Sequence, residues 1–173
     1  PIATQGGKSG ATPTHNLVSA YEYIGRPDPT DPYVNRDPRL AASIVTNGST
    51  WNGRVIDQSA GATDDMARTN ASRTGYYLKK FLTDGLNLTQ GQTAQHNWVA
   101  YRWAEVLLNY AEAMNEAFGP DAVPSGYAMS ARQALQQVRD RASVNLPAVT
   151  AADKDSFREA VKHERRIELA FED

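Results

Sequence analysis

From Asn97 to Phe118 the chain reads NWVAYRWAEVLLNYAEAMNEAF, with no Gly or Pro to interrupt it. Wound as a helix, its Arg102, Glu105, Asn109, Glu112 and Glu116 fall within about a quarter of the circumference. The rest of the arc holds Trp103, Val106, Leu107, Leu108, Tyr110, Ala113 and Met114. A helix apolar over so much of its girth is stable when packed on several sides. It is therefore expected to be the most buried helix, showing mainly its polar sector and holding Trp103 in the core. Gly119-Pro120 ends it, first by flexibility and then by a missing N–H. Whatever else the chain does, it must supply partners for this element.

Two partners follow. In SARQALQQVRDRA (130–142), Ser130 and Gln133 have the spacing of a capping box. Ala131, Ala134, Leu135, Val138 and Ala142 form the apolar stripe, with Arg139 and Arg141 flanking it. A third helix starts between Thr150 and Ser156, with Thr150 and Asp153, or Ser156 and Glu159, as capping pairs. Its stripe is Phe157, Ala160, Val161, Ile167 and Phe171, with Glu164 at the centre and Glu168 beside it. A buried, unpaired carboxylate costs several kcal/mol. Glu164 and Glu168 should therefore be paired, and Arg139 and Arg141 are the nearest candidates. Such pairs are structural locks between helices, since guanidinium and carboxylate fit in one geometry.

Composition changes near residue 95. Before it, Gly, Pro, Asn, Asp and Thr dominate. RPDPTDPYVNRDPR (26–39) carries four prolines and excludes a continuous helix. LVSAYEYI (17–24) reads as a short helix, and 42–55 as two short strands about a turn at Asn47-Gly48. Residues 57–73 read as polar loop, and TGYYLKKFL (74–82) is aromatic and basic. The expectation is an irregular region, 1–95, and a helical region, 96–173, within one domain. Of the 173 residues, 40% are hydrophobic, enough for one sizeable core. A net charge of −2 without a basic stripe argues against nucleic acid. With no cysteine, disulfides and thiolate metal sites are excluded. No apolar run has the length of a membrane span. The polar start PIATQGGKSG, without Met, and the end inside a helix are expected of a piece of a longer protein.

Sugar sites combine aromatic faces, which pack on the C–H patches of a pyranose, with Asn, Asp or Arg for its hydroxyls. Tyr33, Trp51, Tyr76, Tyr77 and Trp98 are the loop aromatics, each also suited to anchoring a loop on the core. Trp51, with Asn47 and Asn52 beside it, ranks first as a platform; Tyr33 and Trp98 complete the candidate set. His15, His96 and His163 are far apart, and HERRIE lacks the second histidine of a zinc-protease helix. Glu105, Glu112 and Glu116 lack an accompanying Glu-x-x-His. Asp64-Asp65 and the Asp28–Asp37 loop offer oxygens of the kind calcium takes. No pair of opposed carboxylates stands out for glycoside hydrolysis. No catalytic, metal or cofactor site is assigned.

NLVSAYEYIGRP, RDPRL, TNGSTWNG, TGYYLKKF, YRWAEVLLNYAEAMNEA, VRDRA and ERRIELAFE occur in an order that resembles the SusD/RagB family over residues 13–173. The resemblance implies a mainly α fold, a tetratricopeptide-like helical scaffold with long irregular loops and a short β-hairpin. It implies a non-catalytic, surface-exposed lipoprotein of the Bacteroidetes outer membrane, capturing oligosaccharide or another nutrient for a SusC-like TonB-dependent transporter. Members usually continue past ELAFE with Gly, where Asp173 stands here, so this chain would be the C-terminal part of one, with the lipid anchor elsewhere. Tyr76 and Tyr77 lie in a block that recurs across the family, which favours scaffold. The alternative is a helical scaffold for protein contacts, with the ligand site elsewhere in the parent chain.

Overall fold

The computed structural model describes residues 6, 7 and 9–172. Residues 1–5 and 8, within the polar start named above, and Asp173 lie outside them. The chain divides into two units, one of residues 1–22 and 27–97, the other of 23–26 and 98–173.

The first unit is built from very short elements. Helix α1 (His15–Ala20) starts at Thr14, whose hydroxyl accepts the Leu17 N–H. It stops at Ala20 rather than running to Ile24, because the Arg36 guanidinium takes the carbonyls of Val18 and Tyr21 at 2.6 and 2.7 Å. Pro38, which lacks an N–H to satisfy, opens α2 (Arg39–Ser43). Strand β1 (Ile44–Val45) pairs antiparallel with the distant β4 (Tyr77–Leu78), and β2 (Thr50–Trp51) with β3 (Arg54–Val55). The hairpin thus closes at Asn52-Gly53, not at the expected Asn47-Gly48. A two-residue turn of this class needs positive φ at both positions. Asn52 and Gly53 have φ of 50° and 74°; at 47–48 only Gly48 is positive. Val45, Trp51, Ile56 and Tyr77 form the buried cluster.

Three helices make the second unit: α3 (Trp103–Phe118), α4 (Ala131–Arg139) and α5 (Lys154–Glu168). α3 starts six residues later than 97 because Arg102 is extended (φ −140°, ψ 159°), its side chain drawn to Glu168 and Glu172. Ser130 and Gln133 form the capping box of α4. The cap of α5 is neither expected pair but Asp153 with Ser156; the Asp153 carboxylate accepts from the N–H groups of both Asp155 and Ser156. Leu107, Leu108, Ala111 and Met114 of α3 bury against Ala131, Ala134, Leu135 and Val138 of α4 and Phe157 and Val161 of α5. The alanines let the backbones approach closely.

These two helices cover one side of α3 only. Trp103, expected in the core, is 65% exposed, and Val106, one turn on, is exposed as well. The exposed surface of α3 is therefore wider than its polar sector. Among the described residues the regular secondary structure is mainly α-helical, with strands of two residues each. No described helix is long and apolar enough to cross a membrane.

Candidate functional site

The first unit encloses a cavity of about 220 Å³. Three separate segments bring its walls together: the proline-rich stretch with α2, the turn from β1 into β2, and the end of β4. Pro38, Leu40, Ala41 and Ile44 give it an apolar side. Tyr33, Arg36, Thr46, Ser49, Thr50 and Lys79 supply the polar one. Lys79 donates one hydrogen bond to the Ala41 carbonyl (2.7 Å), which holds its ammonium at the wall. The Ser49 hydroxyl donates to the Thr46 carbonyl (2.7 Å) and fixes the turn. Asp37 is the cavity's carboxylate, and it is committed: buried, it accepts from Arg39 at 2.7 Å. Tyr33 is half-buried and meets Tyr76 edge-on. Burial raises its phenol above the usual range, and the hydrogen bond with Tyr76 adds to that, so the ring presents a neutral hydroxyl. An apolar wall with a few convergent donors and acceptors holds a small hydroxylated ligand.

The other sequence candidates are placed differently. Trp51 is 4% exposed within the cluster of Val45, Ile56 and Tyr77, so neither face is free and it is no sugar platform. Its ring is drawn inward because it is the largest apolar group available to a core of two-residue strands. The Asn47 Oδ1 accepts the Gln58 N–H at 3.0 Å. Asn52 staples the hairpin to the 84–86 loop: its Oδ1 accepts from Gly85 N–H, and its own N–H donates to Asp84. Trp98 belongs to the second unit and is 84% exposed. The acids weighed for calcium are engaged. Asp64 is buried on Arg54, Asp37 on Arg39, and Asp28 and Asp65 accept from nearby backbone N–H groups. Among the described residues no three acidic or histidine side chains gather at one point.

In the second unit the acidic stripe of α5 meets arginines. Arg139 donates to Glu164 at 2.7 Å, both buried, and Arg141 grips Glu168 with two bonds of 2.6 and 2.7 Å. Sequence reasoning missed a third arginine. Arg102 also bonds the Glu168 carboxylate and carbonyl, and Glu172 beyond it. Burial alone would lower the Arg102 guanidinium, but the hydrogen bonds to Glu172 and Glu168 raise it. Nothing in the sequence marked it, since a helix begun at Asn97 puts Arg102 in the solvent sector, whereas its extended backbone stands ahead of α3. The missed cavity residues, Thr46, Ser49, Thr50 and Lys79, had no local signal, because only the β1–β4 pairing brings Lys79 near the others.

The model of the SusD family matches residues 2–173. SusD-like protein P2 of Formosa agariphila is 28% identical over 144 residues, 79% of this chain and 26% of that protein. A crystal structure of a SusD-like carbohydrate binding protein from Bacteroides fragilis is 33% identical with a TM-score of 0.81, covering 99% of this chain and 35% of the other. A second SusD-like protein of that organism is 30% identical with a TM-score of 0.77, covering 96% and 35%. The chain thus spans about a quarter of the length of the curated relative and about a third of the solved ones.

Proposed function

The chain belongs to the SusD family, and from that premise we propose that it is part of a glycan-binding protein that captures oligosaccharide for a SusC-like TonB-dependent transporter without cleaving it. Family members are associated with the outer membrane in Bacteroidetes, and a lipid-anchored, surface-exposed position is proposed here too. One observation carries the reading: over 99% of this chain the backbone follows that of a Bacteroides fragilis protein named for carbohydrate binding, at 33% identity. The cavity at Tyr33 supports it. Its size suits about one sugar ring, below the range of roughly 300–1,000 Å³ usual for larger ligands. Its single carboxylate is locked on Arg39, whereas glycoside hydrolysis needs two opposed ones. Tyr33 in the cavity and Trp98 with its free ring faces are the proposed contacts.

The test is calorimetry of the purified protein against a panel of oligosaccharides, with product analysis on the same samples. The expected result is binding with no product, weakened about 5- to 30-fold by Trp98→Ala or Tyr33→Ala, the worth of about 1–2 kcal/mol of ring contact. Product release abolished by one Asp or Glu substitution overturns it. A second reading, a scaffold for protein contacts, is favoured by the exposed aromatic run of Trp98, Tyr101 and Trp103 leading into Val106. If no oligosaccharide binds, and Trp98→Ala and Trp103→Ala instead release a bound protein partner, that reading replaces the first.

A further inference from the structure

A second cleft, of about 190 Å³, lies between α3 and α5. One of its lining residues, Asn115, is 1% exposed. The Asn115 Nδ2 group donates to the Lys154 carbonyl at 2.9 Å, which fixes the orientation of the carboxamide. Its Oδ1 is buried and accepts no hydrogen bond among the described residues. An acceptor in that position is costly to leave unmet. One turn earlier on the same wall is Glu112, exposed and without a hydrogen bond or ion pair among the described residues. The α3 wall therefore offers acceptors that want donors.

The α5 wall offers donors. Lys162 is engaged with Glu159 alone, through one contact of 2.7 Å, so its ammonium has further N–H groups to give. Arg165 donates to Asn109 at 2.6 Å and approaches Glu105 at 3.6 Å, keeping other N–H groups. Arg158 closes the far end, held there by Glu116 and Asp155. Val161, at the base of the α5 wall, is turned to the core and 2% exposed.

From this arrangement we infer that the α3–α5 cleft is a binding site for a small neutral polyhydroxylated ligand, a monosaccharide or a sugar alcohol. A cation would satisfy Asn115 and Glu112 but would face Arg158, Lys162 and Arg165. An anion would satisfy Lys162 and Arg165 but would face Glu112 and leave Asn115 without a donor. A hydroxyl both donates and accepts, so neighbouring hydroxyls bridge the two walls. The site is separate from the Tyr33 cavity and does not rest on it.

The test is a titration of the 15N-labelled protein with D-glucose, D-galactose and mannitol, with phosphate and methylammonium as charged probes, following the Asn115 side-chain amide signal. The expected result is a saturable shift with a sugar or sugar alcohol. Lys162→Ala and Glu112→Ala, both at exposed positions, weaken it about fivefold or more, the worth of one hydrogen bond, and Tyr33→Ala leaves it unchanged. Saturation only by phosphate or methylammonium overturns the inference, as does equal affinity in the variants. If sugars bind at Tyr33 and leave Asn115 unmoved, the inference fails while the glycan-binding reading stands. If Asn115 responds and Tyr33→Ala alters no sugar binding, the cleft stands and the cavity assignment fails.

Discussion

The two units solve the same problem by opposite means. In the second, α3, α4 and α5 satisfy most of their own backbone hydrogen bonds, so side chains are free to bond one another across helices. Charge is spent there on pairing elements: Arg139 with Glu164, Arg141 and Arg102 with Glu168. In the first, strands of two residues leave most of the backbone without a ladder partner. Side chains stand in for secondary structure. Arg36 takes three carbonyls, those of Val18, Tyr21 and Pro32, and Ser72 takes that of Tyr76. The lesson is that a polar side chain in a loop-built region orders the chain itself, whereas in a helix-built region it orders how helices dock.

Removing one member of a helix lock is expected to do most damage. Arg139→Ala leaves Glu164, 1% exposed, without its cation, and should cost about 3–5 kcal/mol in urea denaturation. Arg139→Met with Glu164→Leu should recover most of that, since two apolar groups need no partner. If the double variant is as unstable as the single one, packing rather than stranded charge is at fault.

The counterpart in the first unit is Ser72→Ala. Ser72 is fully buried and donates to the Tyr76 carbonyl at 2.6 Å. The loss should be about 1–3 kcal/mol, and hydrogen exchange should quicken around β4 rather than in α3–α5. Uniform loss of protection through both units would break the distinction. Gly53→Ala comes next. At φ 74° an added Cβ is strained although nothing lies near it, so the expected cost is about 1–2 kcal/mol. An unchanged melting temperature would mean that the turn relaxes.

What could be read beforehand follows the same division. The Ser130 cap, the Gly119 stop and the need for cations opposite Glu164 and Glu168 are local or periodic signals, and helices make those legible. Arg102 was misread because a helical wheel begun too early placed it on the solvent side, whereas it stands ahead of α3. In the first unit the deciding facts are long-range. Asn47-Gly48 reads as the turn, whereas the segment holds a second Asn-Gly pair, and the positive φ at Asn52 makes that one the turn. Trp51 looked like a platform because Asn47 and Asn52 stand beside it, and no run of alternating residues marked β2 as facing a core. The Tyr33 cavity draws on residues from 33 to 79, joined by a strand pair too short to leave a pattern.

The smallest effect separates the two kinds of charge most cleanly. Glu116 on α3 is held down to about 2, chiefly by the hydrogen bond from Arg158; desolvation opposes this, and the charges of Arg158 and Lys154 add to the lowering. Asp65, in a loop of the first unit, is also lowered, but chiefly by the backbone N–H groups of Ala67 and Gly61. Each folded value lies below its unfolded one, so each contribution is complete above the unfolded value and lost as pH falls through the folded one. For Glu116 that window runs from about 4.5 down to about 2; for Asp65 it opens below 3.8. Both carboxylates are at the surface, so the slopes are small. Salt screens the arginine and lysine charges on Glu116 but scarcely affects short N–H bonds to Asp65. Acid unfolding in low and high salt should therefore show Glu116→Gln flattening the curve more in low salt than in high, and Asp65→Asn flattening it equally in both. An effect of Asp65→Asn that vanishes with salt would place that aspartate among the paired charges of the helical unit and remove the contrast.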